Sequence, residues 1–117
     1  MSAKRILIID DDPDQLTTLA ALLRGGGHRV ECATSALYAL TLARDFRPEF
    51  AFVDIAMPVL DGYETARRLR CQFGTPHIIA ISGRAGPEAE ARSLSAGFEA
   101  HLAKPLAIGV IERMLEA

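Results

Sequence analysis

Short continuous apolar runs alternate along the chain with longer stretches whose apolar residues recur every three or four positions. The first run is Ile6-Leu7-Ile8-Ile9, within Arg5 to Ile9, and runs of this kind suit strands buried on both faces, as in parallel sheets. Asp12-Pro13 then signals a helix start, with Asp as N-cap and Pro at the first helical position. Leu16, Leu19, Ala20 and Leu23 follow at helical spacing, and Gly25-Gly26-Gly27 stop that helix. His28 to Ala33 has apolar residues only at alternate positions, which predicts a weak strand at a sheet edge. Thr34 or Ser35 caps a second helix carrying Leu37, Leu40 and Ala43. Pro48 breaks the chain before Phe50-Ala51-Phe52-Val53, an apolar run that ends in Asp54. Asp61 to Cys71 reads as a third helix, with Tyr63, Ala66 and Leu69. Gly74-Thr75-Pro76 turns into a fourth strand, His77 to Ser82. Pro87 to Ala96 is a fourth helix closed by Gly97, a natural residue just past a helix end. Phe98 to Leu102 is a fifth strand and Pro105 to Leu115 a fifth helix.

Strand and helix thus alternate five times, which argues for a parallel sheet with helices on both faces and right-handed crossovers. The expected fold is α/β, a single doubly wound (βα)5 domain. A strand order of 2-1-3-4-5 places the weak second strand at an edge. The length of 117 residues fits one domain with a real core. A formal net charge of −2 gives no electrostatic footprint for nucleic acid or an anionic membrane. Cys32 and Cys71 are too few for a disulfide scaffold or a zinc site, and two free thiols suit a reducing cytoplasm. No apolar run approaches the ~18 residues of a membrane span, and Met1-Ser2-Ala3-Lys4 does not begin a signal peptide. After Lys104-Pro105 the chain suffices for one helix, so no output domain is expected.

All strands of such a sheet point the same way, and their carboxyl ends meet at one rim, where ligands bind in open α/β sheets. Strand one ends in Asp10-Asp11-Asp12, strand three in Asp54, strand four in Ser82-Gly83, and strand five near Lys104-Pro105. Ionised carboxylates are costly to bury, so Asp54 needs a wet crevice, a counter-charge or a metal. Two carboxylates about 5 Å apart repel by about 3 kcal/mol at an effective dielectric near 20. A divalent cation relieves that repulsion, and magnesium suits one or two carboxylates plus water and a phosphate. Lys104 adds a point positive charge for phosphate oxygens, and Ser82 can donate to a phosphoryl oxygen. The set describes a phosphoryl-transfer site, with Asp54 at the middle strand as the best nucleophile.

With these residues in place, the chain resembles the response-regulator receiver domains of two-component and phosphorelay signalling over nearly its whole length, residues 1–117. The motifs that carry the likeness are Ile8-Ile9-Asp10-Asp11-Asp12-Pro13, Val53-Asp54-Ile55-Ala56-Met57-Pro58 with Asp61-Gly62, Ile81-Ser82-Gly83, and Gly97-Phe98-Glu99-Ala100-His101-Leu102-Ala103-Lys104-Pro105. The order 2-1-3-4-5 is also that of chemotaxis receivers and of flavodoxin-like folds, so it follows the resemblance as well as the weak second strand. The resemblance implies that Asp54 is the phosphoacceptor, supplied by the phosphohistidine of a histidine kinase or histidine phosphotransfer protein. It implies Mg2+ (or Mn2+) held by Asp11, Asp54 and the backbone carbonyl of Ala56, with Asp10 acting through water. Ser82 and Lys104 would contact the phosphoryl group, and Pro105 would follow a cis bond. The implied protein is not a conventional enzyme. It promotes only its own phosphorylation and slow dephosphorylation.

His101 stands where the family often carries a Tyr or Phe that swings inward, and an imidazole there titrates near neutrality. The plain alternative is a half-exposed strand histidine. Ala56 and Arg84 match the positions that tune acyl-phosphate lifetime. Ala cannot orient an attacking water, so slow-to-moderate hydrolysis is expected. The surface that would report phosphorylation is the fourth helix, fifth strand and fifth helix. The fourth helix has Leu94 as its only large apolar residue and so little to bury that it could shift cheaply. In the fifth, Leu106, Ala107, Ile108, Val110, Ile111, Met114 and Leu115 span about 200°, against about 100° for an ordinary one-sided helix. Part of that arc would dock a second domain or another copy, unless Leu106 and Val110 merely complete the core.

Two other readings compete. A haloacid-dehalogenase-type phosphatase would use Asp10 as nucleophile and Asp12 as acid, but it leaves Asp54 without a role. A pseudo-receiver would keep the fold without being phosphorylated, against the intact Asp10, Asp11, Asp54, Ser82 and Lys104.

Overall fold

Ile6, Ile8, Phe50, Phe52, Ile79 and Ile81 pack on one face of the sheet, and Leu7, Ile9, Ala51, Val53, Ile78 and Ala80 on the other. This period of two is the ordinary consequence of strand geometry, and it is why continuous apolar runs are needed when both faces are covered. The computed structural model describes residues 3–55, 62–83 and 87–116. Its elements are β1 (Arg5–Ile9), α1 (Pro13–Gly25), β2 (Arg29–Ala33), α2 (Ala36–Phe46), β3 (Phe50–Asp54), α3 (Gly62–Phe73), β4 (His77–Ser82), α4 (Pro87–Ser95), β5 (Ala100–Ala103) and α5 (Ile108–Glu116). The five strands are parallel in the order β2-β1-β3-β4-β5, as expected, with the weak second strand at an edge.

Helices α2 and α3 cover one face through Ala39, Leu40, Ala43, Ala66 and Leu69. Helices α1 and α5 cover the other through Leu16, Leu19, Leu23, Ile111 and Leu115. Each fully buried Leu or Ile contributes about 1.5–3 kcal/mol relative to exposure. The predicted caps hold. Asp12 accepts from the Asp14 amide at 3.0 Å, and Ser35 rather than Thr34 accepts from the Tyr38 amide at 3.2 Å.

Several boundaries shift from the sequence reading by one or two residues, and two starts move by two or three. The fifth strand begins at Ala100 rather than Phe98. The Phe98 amide donates to the Ser93 carbonyl at 3.1 Å, and Gly97 (φ 97°) donates to Leu94 at 3.1 Å, so both close α4. The fifth helix begins at Ile108 rather than Pro105, because its first turn closes on the Ala107 carbonyl, which accepts from Val110 at 3.1 Å and Ile111 at 3.3 Å. The Lys104–Pro105 bond is cis. Most of the apolar arc of the fifth helix is spent on the chain's own core: Ile111 and Leu115 are buried, and Leu106, Ile108 and Met114 pack against the same cluster. Val110 is half-buried outside that cluster.

Candidate functional site

Parallel pairing in register brings the strand ends together. Ile9 lies opposite Val53, Asp54 opposite Ile81, and Ser82 opposite Ala103. Asp10 follows β1 directly and its amide donates to Ala33 of β2 at 3.1 Å, while the Lys104 amide donates to the Ser82 carbonyl at 2.8 Å. The backbone ladder therefore carries the side chains of four segments to one rim.

Carboxylate oxygens of Asp10, Asp11 and Asp54 lie within 4.8 Å of one another. Asp10 and Asp54 are 2% and 4% exposed, and Asp11 faces solvent. Lys104 Nζ is 2.8 Å from Asp10 Oδ2 and 3.1 Å from Asp54 Oδ2. Burial on its own would lower the Lys104 pKa. The hydrogen bonds to Asp10 and Asp54 outweigh it and hold the ammonium above the ordinary lysine range. One lysine does not balance three carboxylates, so the cluster suits a small oxygen-liganded dication. Asp10 is steered by a further bond, its Oδ1 accepting from the Asp12 amide at 3.0 Å. The Asp12 side chain is instead committed to capping α1. That leaves it unsuited to the acid role that the phosphatase reading requires.

Ser82 is 3% exposed at the end of β4. His101 lies on β5 opposite Ala80, and its Nδ1 is 2.8 Å from Ser93 Oγ of α4. It is half-buried, as the plain alternative of a strand histidine expects, with this contact to α4. Ala56 and Arg84, and with them the Ala56 carbonyl, fall outside the described residues.

Gly62 was visible in the sequence only as half of an Asp-Gly pair. A Cβ there would meet Ile55 Cα at 2.5 Å and the Asp54 carbonyl oxygen at 2.9 Å. Only glycine lets α3 start directly against the strand end that carries Asp54. Ser93 had no signal in the sequence, since its partner lies on another element.

A family model for the response regulator receiver domain matches residues 6–116. The chain belongs to the response regulator receiver domain family. This receiver domain is 32% identical over 117 residues to the transcriptional regulatory protein PrrA of Mycobacterium leprae, covering 100% of the chain and 50% of that protein. It thus spans about half the length of the curated relatives it matches. A CheY-like receiver domain protein from Methanospirillum hungatei superposes with a TM-score of 0.86 at 31% identity, covering 98% of this chain and 93% of that one. The receiver domain of a sensor histidine kinase from Pseudomonas aeruginosa, with a magnesium ion coordinated in its active-site cleft, superposes at 0.84 with 32% identity, covering 98% and 96%. The order of the sheet and the acidic pocket of this receiver domain are those of the family.

Proposed function

We propose that residues 1–117 act as a phosphoacceptor receiver in two-component or phosphorelay signalling, with Asp54 as the acceptor. The observation that carries this is the clustering of Asp54 with Asp10, Asp11 and Lys104 at one rim. An Asp54 oxygen attacks the phosphorus of a partner's phosphohistidine. The P–N bond breaks, and the imidazole leaves with its electron pair and picks up a proton. Asp11 and Asp54 would hold Mg2+ directly, and Asp10 through water; Mn2+ would serve as well. The ion supplies charge neutralisation for the incoming phosphoryl group. Lys104 already faces Asp54 and can move its ammonium to a phosphoryl oxygen, and the Ser82 hydroxyl can donate to another. Asp10, held by the Asp12 amide, orients the acidic side of the site. Ala56 and Arg84 would set the lifetime of the acyl phosphate.

The donor is a histidine kinase or a histidine phosphotransfer protein. A groove of about 280 Å³ beside Asp10, lined by Leu16, Leu19 and Leu22 of α1 and by Pro105 and Leu106, offers such a partner an apolar seat next to the acceptor. No helix among the described residues is long and apolar enough to cross a membrane, and we place the reaction in the cytoplasm. The signal leaves through α4, β5 and α5, with Ser82 and His101 as the moving parts and with Leu94 and Val110 among the apolar residues that can make contact.

The test is mass spectrometry after acetyl phosphate or beryllofluoride treatment in Mg2+. Wild type gains one adduct on Asp54 and Asp54→Asn gains none. An adduct on Asp10, or none at all with any donor, overturns the reading.

A further inference from the structure

Helix α4 is nine residues long and buries a single side chain, and that side chain is a serine. Ser93 is 0% exposed, whereas Leu94 beside it is 55% exposed. Apolar burial therefore does little to hold this helix on the sheet. Its C-terminal end is fastened by other means. Arg70 Nη2 of α3 donates to the Gly97 carbonyl at 2.6 Å, the Arg92 guanidinium lies 4.5 Å from the Tyr63 ring centre, and Tyr63 meets Phe98 edge-on at 5.8 Å. A further tether is the bond between Ser93 Oγ and His101 Nδ1, 2.8 Å long.

We propose that Ser93 and His101 form a latch that clamps the last turn of α4 to β5 in the resting protein and sets how readily the helix moves. The latch holds the imidazole turned toward α4. It is a reversible device, because the ring is only half satisfied: Nε2 is buried with no hydrogen-bond partner among the described residues. A buried polar atom left without a partner costs free energy. Among the described residues, the ring's turn toward α4 is therefore sustained by the one hydrogen bond that Ser93 supplies. Removing it leaves both ring nitrogens unpaired and leaves the last turn of α4 held by Arg92 and the Gly97 carbonyl, with no buried side chain in the stretch of α4 before Ser93. The use of this latch in signalling rests on the receiver reading above, since α4 belongs to the surface that would report phosphorylation. The latch itself rests on geometry alone.

The test is hydrogen exchange of the α4 amides in wild type, Ser93→Ala, His101→Phe and the double variant, all without a phosphoryl donor. Local opening sets such exchange, and an average neutral hydrogen bond is worth about a fivefold change in an equilibrium. Ser93→Ala should speed α4 exchange about fivefold and leave α1 and α2 unchanged. In the His101→Phe background, where the ring packs without this bond, Ser93→Ala should add nothing. Unchanged α4 exchange in Ser93→Ala, or an equal increase in both backgrounds, overturns the latch. The imidazole 15N shifts of wild type need no variant: a hydrogen-bonded Nδ1 on His101 supports it, and an Nδ1 shift unaltered from a free ring overturns it. Failure of Asp54 to take a phosphoryl group would overturn the proposed function and leave the latch standing.

Discussion

The Lys104 ammonium stands 3.1 Å from the Asp54 carboxylate, although fifty residues separate them in the chain. The contact exists because β5 pairs with β4 and β4 with β3, so that both residues reach the same rim. It makes Lys104 the resident counter-charge of the acidic site.

That role has a signature in alkali. The folded-state pKa of Lys104 is raised above the ordinary 10.5 by Asp10 and Asp54, against the opposing effect of burial. Its contribution to stability is therefore complete below pH 10.5 and is lost as pH rises through the folded value. Thermal unfolding of metal-free protein between pH 8 and pH 12, on the order of the lysine titration range, should show this loss. Lys104→Met should be less stable at neutral pH and should lack that phase. An identical alkaline profile in the variant would contradict the assignment.

Divalent metal should replace part of what Lys104 does. At a free Mg2+ concentration about 100 times Kd, a single site adds about 2.7 kcal/mol to stability. Urea midpoints with and without MgCl2 measure it. Asp11→Asn should lose most of the gain while leaving the metal-free fold intact, because Asp11 faces solvent. Equal magnesium stabilisation of wild type and Asp11→Asn would remove Asp11 from the ligand set.

Gly62 tests how closely the site depends on backbone approach. A Cβ would sit 2.5 Å from Ile55 Cα, which is backbone and cannot rotate away. Gly62→Ala should destabilise the domain by about 1–3 kcal/mol, the usual range for overpacking. It should also shift the amide resonances of Val53 to Ile55. An unchanged urea midpoint would mean that α3 can re-seat without cost.

On the outer face of α3, Glu64 accepts from Arg67 Nε at 2.9 Å and from Arg68 Nε at 3.3 Å. The Arg67 hydrogen bond, with lesser help from Arg68, lowers the Glu64 pKa from 4.5 to about 2. The stabilising contribution is present above pH 4.5 and is lost as pH falls toward about 2. The pair is solvent-exposed, so the effect is small and salt-sensitive. Circular dichroism melts of wild type and Glu64→Gln should differ at pH 5 and converge near pH 2 in low salt, on the order of the carboxylate titration range. Curves that stay parallel across that range would show that the pair contributes nothing.

The sequence by itself determined the alternation of strands and helices, the edge position of the second strand, the Asp12 cap and the convergence of Asp10, Asp11, Asp54, Ser82 and Lys104 on one rim. These follow from local periodicity and from the rule that parallel strands share a carboxyl end, neither of which requires knowing what packs against what. Only the tertiary structure decided where β5 and α5 begin, because the amides of Phe98, Val110 and Ile111 choose partners according to how each helix end closes. It also decided that Leu106, Ile108 and Met114 serve the chain's own core. It placed the Gly62 backbone against Ile55 and joined Ser93 of α4 to His101 of β5. Such relations are fixed by distances between elements, and a one-dimensional pattern of apolar and polar residues carries no information about those distances.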